Sequence, residues 1–492
     1  MHQRNAGTNW VGRTLLVVSM VWCTYWFFHA MPYWEDDSYI HLEYARSVFQ
    51  GKGFMFNGML SNGDTSPVWV LLLAASHVVS PDWVTSGKVL AVLGTLAALG
   101  MTYLYSRRVA QDLGLDAALM PAVMVALLVV NPYFCYWAFS GMEAVAAAGL
   151  TMLIAMLVVP KRASAWSFFG AAAAIGIAPL VRPEMVLLSA IAGLFLLRQW
   201  HELTVDKAAS VRIFYFVAAA LLLGLPLMGW AMYALDAFGY VLPNTNAAKR
   251  AAPDVSVLLR LLQVYGLGFP GVLMALVLLP FVLKPLLRKE QKGKIFPVVT
   301  WPILLWFAVT TVFYIVNHTH VQTRYVVVAA PAVMFALLLV LWRSLGSRLA
   351  YMLAGSLAIF AVLVSVLLVH PFIRNKGLHD QGVAQLASFI SRELPADAGV
   401  AVYSIGQLGF MVTNPIIDVG GITRPEASLL LYEPQAVMTA WAKRNGARYY
   451  IMGDKPEPQA ELVIELPVPE VGWSMNPSFY DKQTVLRLWK LS

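Results

Sequence analysis

Glu35-Asp36-Asp37-Ser38-Tyr39-Ile40 opens the stretch that decides the fold. Tyr44-Ala45-Arg46, Gly51-Lys52-Gly53-Phe54 and Asn62-Gly63-Asp64-Thr65-Ser66-Pro67-Val68-Trp69 complete it. The three acids stand a few residues beyond an apolar run over 15–31. Adjacent carboxylates repel one another, and holding them at a bilayer boundary costs free energy, so acids kept there commonly serve a cavity. Ile40, Tyr44, Val48 and Phe49 recur at helical spacing, which predicts an amphipathic helix over 38–50 lying on the membrane and ended by Gly51 and Gly53. The acids then fall at its N-terminus, where the helix dipole favours negative charge. Residues 54–58 read as a short turn-bounded segment, and 61–67 as a polar turn into an interfacial helix over 66–79.

Outward from this loop, apolar runs dominate. The chain of 492 residues is 59% hydrophobic and 13% charged, against roughly 25% charged residues in a soluble domain. That excess is too large for one buried core and fits many bilayer spans of about 20 residues. Eleven spans are expected, over 15–31, 84–105, 119–130, 144–159, 166–180, 185–197, 213–234, 257–283, 296–316, 326–342 and 349–369. The net charge of +8 comes from Lys and Arg in short loops. This is the positive-inside pattern of a membrane protein rather than a nucleic-acid-binding surface. Arg107, Arg108, Lys161, Arg162, Lys207, Arg212 and the basic groups at 284–294 and 343–348 then fall inside, with the N-terminus. The loops at 32–83, 131–140, 236–254 and 317–324 fall outside, with the C-terminal region. The first run is too long for a signal-peptide core and reads as an uncleaved span. Cys23 and Cys135 have no CxxC or His-rich neighbourhood, so neither a disulfide framework nor a metal site is expected.

From 371 onward the apolar runs shorten to strand length, at 400–403, 449–451 and 462–466, with helix-like stretches at 381–392 and 434–444 between them. Strands alternating with helices predict a small α/β domain. The expected division is a transmembrane domain over 1–370, with its first outer loop at 32–83, and an outer domain over 371–492.

The motifs quoted at the outset resemble the first loop of the GT-C membrane glycosyltransferases. Within these they look most like the arabinofuranosyltransferase-like group, and more distantly like protein O-mannosyltransferases and the lipid A aminoarabinose transferase. The resemblance implies a catalytic base in this loop: Asp36 and Asp37 match the family's paired acids, with Asp36 expected to deprotonate the acceptor hydroxyl and Asp37 to orient the sugar or raise the basicity of Asp36, and Tyr44 and Arg46 are candidate substrate contacts. It extends to Gly141-Met142-Glu143, to Arg182-Pro183-Glu184, to Pro243-Asn244 with Lys249, and to Arg324-Tyr325. The implied substrate-binding set is therefore Tyr44, Arg46, Glu143, Arg182, Glu184, Asn244, Lys249, His318, Arg324 and Tyr325.

The chemistry matches these residue types. Inverting sugar transfer needs a carboxylate to take a proton from the acceptor hydroxyl. The departing phosphate needs cations rather than a general acid. Lys249 is a compact cation suited to a phosphate, and Arg182 and Arg324 are fork-shaped ones. His318 and His320 alone, without neighbouring carboxylates, make a poor metal site. Ile405-Gly406-Gln407-Leu408-Gly409-Phe410 and Ile417-Asp418-Val419-Gly420-Gly421-Ile422 are similar to the family's outer domain, but Ser404 or Ile405 stands where an acid is usual.

The expected architecture is thus an all-α polytopic membrane bundle of GT-C type with outer juxtamembrane helices, plus a small C-terminal α/β periplasmic domain, in a bacterial inner membrane. The expected activity is transfer of a sugar, a pentose such as arabinofuranose by resemblance, from a polyprenyl-phosphate donor to a glycan, lipid or protein acceptor. No cofactor is implied. The rival classes are a lipid-linked-sugar flippase or solute transporter, and an oligosaccharide ligase. A transporter places charges near the bilayer midplane, often within repeats. Here the candidates sit at the outer edge and no repeat is visible.

Overall fold

In the computed structural model the described residues are 2–244, 256–268, 296–430, 433–471 and 484–492. Helix α1 (His2–His29) carries the first apolar run. Helix α2 (Asp36–Phe49) begins two residues earlier than the sequence pattern suggests, because Asp36 and Asp37 form its first turn. The open N–H groups of a helix start favour carboxylates there. A hairpin follows, β1 (Met55–Phe56) against β2 (Met59–Leu60). Its two turn residues, Asn57 (φ 46°) and Gly58 (φ 78°), both adopt the left-handed conformation that a two-residue hairpin requires. Helix α3 (Pro67–Ser76) has its proline at the start, where no N–H is needed. Its ten residues rise about 15 Å, half the hydrocarbon thickness.

The bundle continues with α4 (Trp83–Asp112), α5 (Leu119–Val129), α6 (Pro132–Trp137), α7 (Ala144–Val158), α8 (Ala165–Val181), α9 (Met185–Thr204), α10 (Ala209–Phe238) and α11 (Ser256–Gly268). Then come α12 (Trp301–Val316), α13 (Thr323–Val327), α14 (Ala330–Leu345), α15 (Ser347–Val364) and α16 (His370–Glu393). Among the described residues five helical stretches are long and apolar enough to cross a membrane: Trp10–His29, Trp83–Asp112, Ala209–Phe238, Val298–Val316 and Ser347–Glu393. The runs expected at 119–130, 144–159, 166–180 and 326–342 form shorter apolar helices, which fall below the usual spanning length. Most of the run expected over 257–283 lies outside the described residues. On α10, Ile213, Phe214, Met228 and Met232 are exposed, an apolar surface that only lipid or another apolar partner covers. The chain is a multi-pass membrane protein.

Helices α15 and α16 are joined by one π-helical turn, Ser365–Val369, so the helical path runs through position 371 without a break. The wider turn comes just before Pro371, whose ring cannot continue an ordinary hydrogen-bond ladder. The helix predicted at 381–392 is the last part of α16. Beyond it stands a mixed five-stranded sheet. Strands β3 (Gly399–Val402), β5 (Ala447–Ile451) and β6 (Glu461–Pro467) lie where the sequence predicts strands, and β4 (Ile416–Asp418) and β7 (Val485–Lys490) complete the sheet in the order β4-β3-β5-β7-β6. β4, β3 and β5 are parallel, and β7 is antiparallel to both β5 and β6. Helix α17 (Gly406–Met411) follows β3, and α18 (Pro425–Ser428) and α19 (Gln435–Arg444) precede β5.

Two cores matter for the site. One lies inside the bundle, around Trp26, Tyr33, Tyr136, Trp137, Phe168 and Trp306. The other unites the first loop with the C-terminal unit: Trp34, Ile40, Tyr44, Phe56 and Trp69 pack with Leu386, Ile390, Val402, Leu408 and Leu488. The loop quoted at the outset is therefore folded against the sheet domain.

Candidate active site

The three acids of the first loop point in three directions, because successive residues around a helix start are about 100° apart. Glu35 turns inward, where its carboxylate accepts from Tyr33 and, at 2.7 Å, from the Tyr136 hydroxyl. Burial pushes its carboxyl up to about 7, against the opposing influence of Lys376 and the two hydroxyls. Asp36 turns to the C-terminal unit. Its Oδ1 accepts from the Gln407 N–H at 2.9 Å and its Oδ2 from the Gly406 N–H at 3.1 Å, so it caps α17. A Cβ on Gly406 would overlap the Asp36 carbonyl, so the close approach requires glycine. Burial raises the Asp36 carboxyl, while the Gln407 N–H and Lys376 oppose the rise. Asp37 faces Arg324, whose guanidinium donates to its Oδ2 at 2.6 Å. The Asp37 side chain keeps 35% exposure while that of Arg324 keeps 4%.

Arg324, on α13, opens onto a pocket of about 240 Å³. Glu143, Arg182, Glu184, Arg324 and Tyr325 supply its polar wall, and Met142, Leu242, Pro243, Phe313 and Tyr314 are part of its apolar wall. The charged groups come from helix ends or a short helix. Glu143 precedes α7, Arg182 ends α8, Glu184 precedes α9, and Arg324 and Tyr325 lie on the short α13. Pro183 forces the break between α8 and α9 and so places Arg182 and Glu184 together. Gly141 (φ 93°) brings the α7 start against the Trp34 ring, which occupies the space of its missing side chain. The Trp137 and Tyr325 rings flank Arg324, at 5.9 and 5.8 Å from its guanidinium carbon. Arg182 lies 5.4 Å from the Tyr325 ring centre.

Behind the pocket runs an ordered series of charges. Arg182 pairs with Glu143 and, at 2.5 Å, with Glu184. The second oxygen of Glu143 faces His41 Nε2 at 3.4 Å, and His41 Nδ1 donates to Asp64 Oδ2 at 2.5 Å. Asp64 Oδ1 in turn accepts from the Ser66 N–H at 2.6 Å. Burial alone would raise Glu143, but Arg182 and His41 outweigh it and hold the carboxyl down at about 2. Burial alone would lower His41, but Asp64 and Glu143 outweigh it and raise the imidazole to about 10.

The sequence-predicted residues thus separate into groups. Glu143, Arg182, Glu184, Arg324 and Tyr325 line one pocket, and Asp37 joins it through Arg324. Asn244 stands next to the wall residue Pro243; its N–H donates to Asn62 O at 2.9 Å and its side-chain amide to Ile422 O at 3.3 Å. His318 occupies a left-handed turn (φ 50°) between the lining residues Asn317 and Thr319. Asp36, Tyr44 and Arg46 lie away from the pocket. The Tyr44 hydroxyl donates to Ser61 O at 3.1 Å and accepts from the Gly63 N–H at 3.2 Å. Arg46 pairs with Glu43 and donates to Phe410 O at 3.0 Å. Lys249 lies outside the described residues. The sequence reading passed over His41 and, although it quotes Asp64, gave it no role. The signal for His41 was its spacing, one helical turn after Asp37 on the same face.

Residues 372–488 match a family model described as a domain of unknown function, DUF8728. No curated protein matches the chain. Among solved structures, ArnT from Cupriavidus metallidurans bound to undecaprenyl phosphate is similar over 98% of both chains, at 14% identity and a TM-score of 0.59. The same protein in the apo state gives 0.55 over the same coverage. The Archaeoglobus fulgidus oligosaccharyltransferase in the apo form is similar over 90% of this chain and 69% of its own, at 10% identity and a TM-score of 0.50. The chain shares the fold of ArnT.

Proposed function

We propose that this protein is an inverting glycosyltransferase that moves a sugar from a polyprenyl-phosphate donor to an envelope acceptor on the periplasmic side of a bacterial inner membrane. The carrying observation is that Arg182, Arg324 and Asp37, from three distant parts of the chain, converge at one partly apolar pocket. Planar guanidinium groups grip a phosphate through paired donors. The likeness to a fold crystallised with undecaprenyl phosphate supports the donor class. The first-loop resemblance supports a pentose such as arabinofuranose.

In this reading Arg182 and Arg324 hold the donor phosphate. Arg324 turns part of its charge to the phosphate, which raises the proton affinity of the Asp37 carboxylate as the base. Asp37 takes the proton of the acceptor hydroxyl. The acceptor oxygen bonds to the anomeric carbon from the face opposite the phosphate. The bond from carbon to phosphate oxygen breaks, and the electron pair leaves with polyprenyl phosphate. The proton then passes from Asp37 to water. Asp37 replaces Asp36 in the role expected from the family's acid pair, because the Asp36 oxygens are already engaged by the Gly406 and Gln407 N–H groups. The chemistry uses no cofactor.

The test is transfer from synthetic polyprenyl-phosphate pentoses and hexoses by wild type, Asp36→Asn and Asp37→Asn. Transfer by wild type and its loss in Asp37→Asn, with donor binding retained, is the expected result. Full transfer by Asp37→Asn overturns the base assignment. A wild type that consumes no donor across the panel overturns the transferase reading and favours a flippase or transporter.

A further inference from the structure

His41 lies one layer behind the pocket, on α2, and is buried and not among the residues that line it. Its ring is buried between two carboxylates from different parts of the chain, Asp64 in the turn before α3 and Glu143 at the start of α7. Neither ring nitrogen faces an acceptor other than a carboxylate, so the arrangement suits a ring with both nitrogens protonated. Glu143 shares its other oxygen with Arg182, and Arg182 shares itself between Glu143 and Glu184. Counting the groups that face one another, Asp64, Glu143 and Glu184 are negative and His41 and Arg182 positive, with Arg324 and its partner Asp37 alongside. Removing the His41 charge leaves two buried acids and the partly buried Glu184 around one arginine. Burying an unpaired charge costs several kcal/mol, so one acid would take up a proton or pull Arg182 from the pocket.

We infer that His41 is a positioning residue: locked between Asp64 and Glu143, it sets the charge balance that leaves Arg182 aimed into the pocket and available to a phosphate. The inference rests on the donor-phosphate reading of the pocket. It deepens that reading by naming the part of the fold that tunes phosphate affinity. His41 acts through Glu143, and Glu143 through Arg182, so no bond to substrate is involved. Asp64 is the outer end of the series. Its second oxygen is held by the Ser66 N–H, which ties the Asp-Thr-Ser-Pro turn to the pocket electrostatically.

The experiment measures binding of undecaprenyl phosphate to the purified full-length protein from pH 5.5 to 8.5. Wild type, His41→Gln and the double variant His41→Gln/Asp64→Asn are compared. The ratio of variant to wild-type Kd at each pH removes the ligand's own ionisation. For His41→Gln the ratio is expected near one at pH 5.5, where an acid is protonated in compensation. It rises to about tenfold at pH 8.5, where that proton is lost and negative charge accumulates behind Arg182. The double variant removes one charge of each sign and is expected to return the ratio to within about threefold of one at every pH. A merely structural role for the ring predicts a pH-independent loss that the second substitution deepens, and that result overturns the inference. A flat ratio near one for His41→Gln overturns it as well. A wild type that binds no undecaprenyl phosphate at any pH overturns the donor reading and this inference together. Binding with a flat ratio removes the inference alone.

Discussion

Arg324 and Asp37 are 287 positions apart in sequence and 2.6 Å apart in space. The pair joins the first loop to the short helix α13, and it ties the proposed base to a proposed phosphate ligand. Occupancy of one group therefore alters the other.

Asp37→Asn is expected to lower transfer by at least a hundredfold, the lower end of what a positioned base contributes, with undecaprenyl phosphate still bound. Asp36→Asn is expected to act differently. An amide oxygen still accepts one N–H, so the protein keeps a substantial part of its activity but melts earlier. Single-turnover transfer and thermal unfolding in detergent separate the two. Equal loss of transfer in both variants would contradict the assignment.

Arg182→Lys and Arg324→Lys keep the charge but lose the planar fork. Each is expected to raise the donor KM by about tenfold or more. Arg324→Lys should also change the pH dependence of kcat, because Arg324 faces the Asp37 carboxylate directly. Initial rates at varied donor concentration check both.

Glu35 gives the protein a pH-dependent stability with a definite sign. Its carboxyl is raised from 4.5 to about 7 by burial. Its favourable contribution is therefore complete below pH 4.5 and is lost as the pH rises through about 7, an amount of about 3 kcal/mol. Glu35→Gln keeps an oxygen for the Tyr33 and Tyr136 hydroxyls and removes the titration. The variant should match wild type near pH 5 and exceed it at pH 8 in thermal unfolding. A variant less stable than wild type at pH 8 would refute this account.

Asp418 is buried and accepts four hydrogen bonds, from the Gly420, Gly421 and Thr423 N–H groups and the Thr423 hydroxyl. The loop it shapes meets the first loop where Ser61 Oγ donates to Thr423 O at 3.3 Å. Asp418→Ala leaves those donors unpaired and is expected to destabilise the C-terminal unit by on the order of 3 kcal/mol. It should also speed proteolysis near 418–424. Unchanged proteolysis and melting would show the loop to be held from elsewhere.

Local patterns carried much of this organisation. Apolar run length marked the bundle, and the spacing of Ile40, Tyr44 and Val48 marked α2. The Arg182-Pro183-Glu184 break marked a helix turn whose two charged ends do meet. Contacts that depend on distant backbone left no such mark. Nothing near Asp36 announces that its oxygens are filled by the N–H groups of Gly406 and Gln407, so Asp36 reads from sequence as the base of the pair. Strand β4 spans only Ile416–Asp418, too short for alternation to show. The shortening of apolar runs from 371 onward suggested a boundary, and α16 runs through that position, burying His379 and Asp380 along with Phe372, Ile373, Leu386 and Ile390.

The cap that Asp36 places on α17 has a consequence for synthesis. Its donors lie 370 and 371 positions downstream. At roughly 5–20 residues per second, translation leaves Asp36 without them for tens of seconds after it is made. Asp36 stays without these partners until residue 407 has emerged. A chain stopped early, or clipped before Gly406, would therefore carry every arginine of the pocket while Asp36 still lacked the N–H groups that hold it.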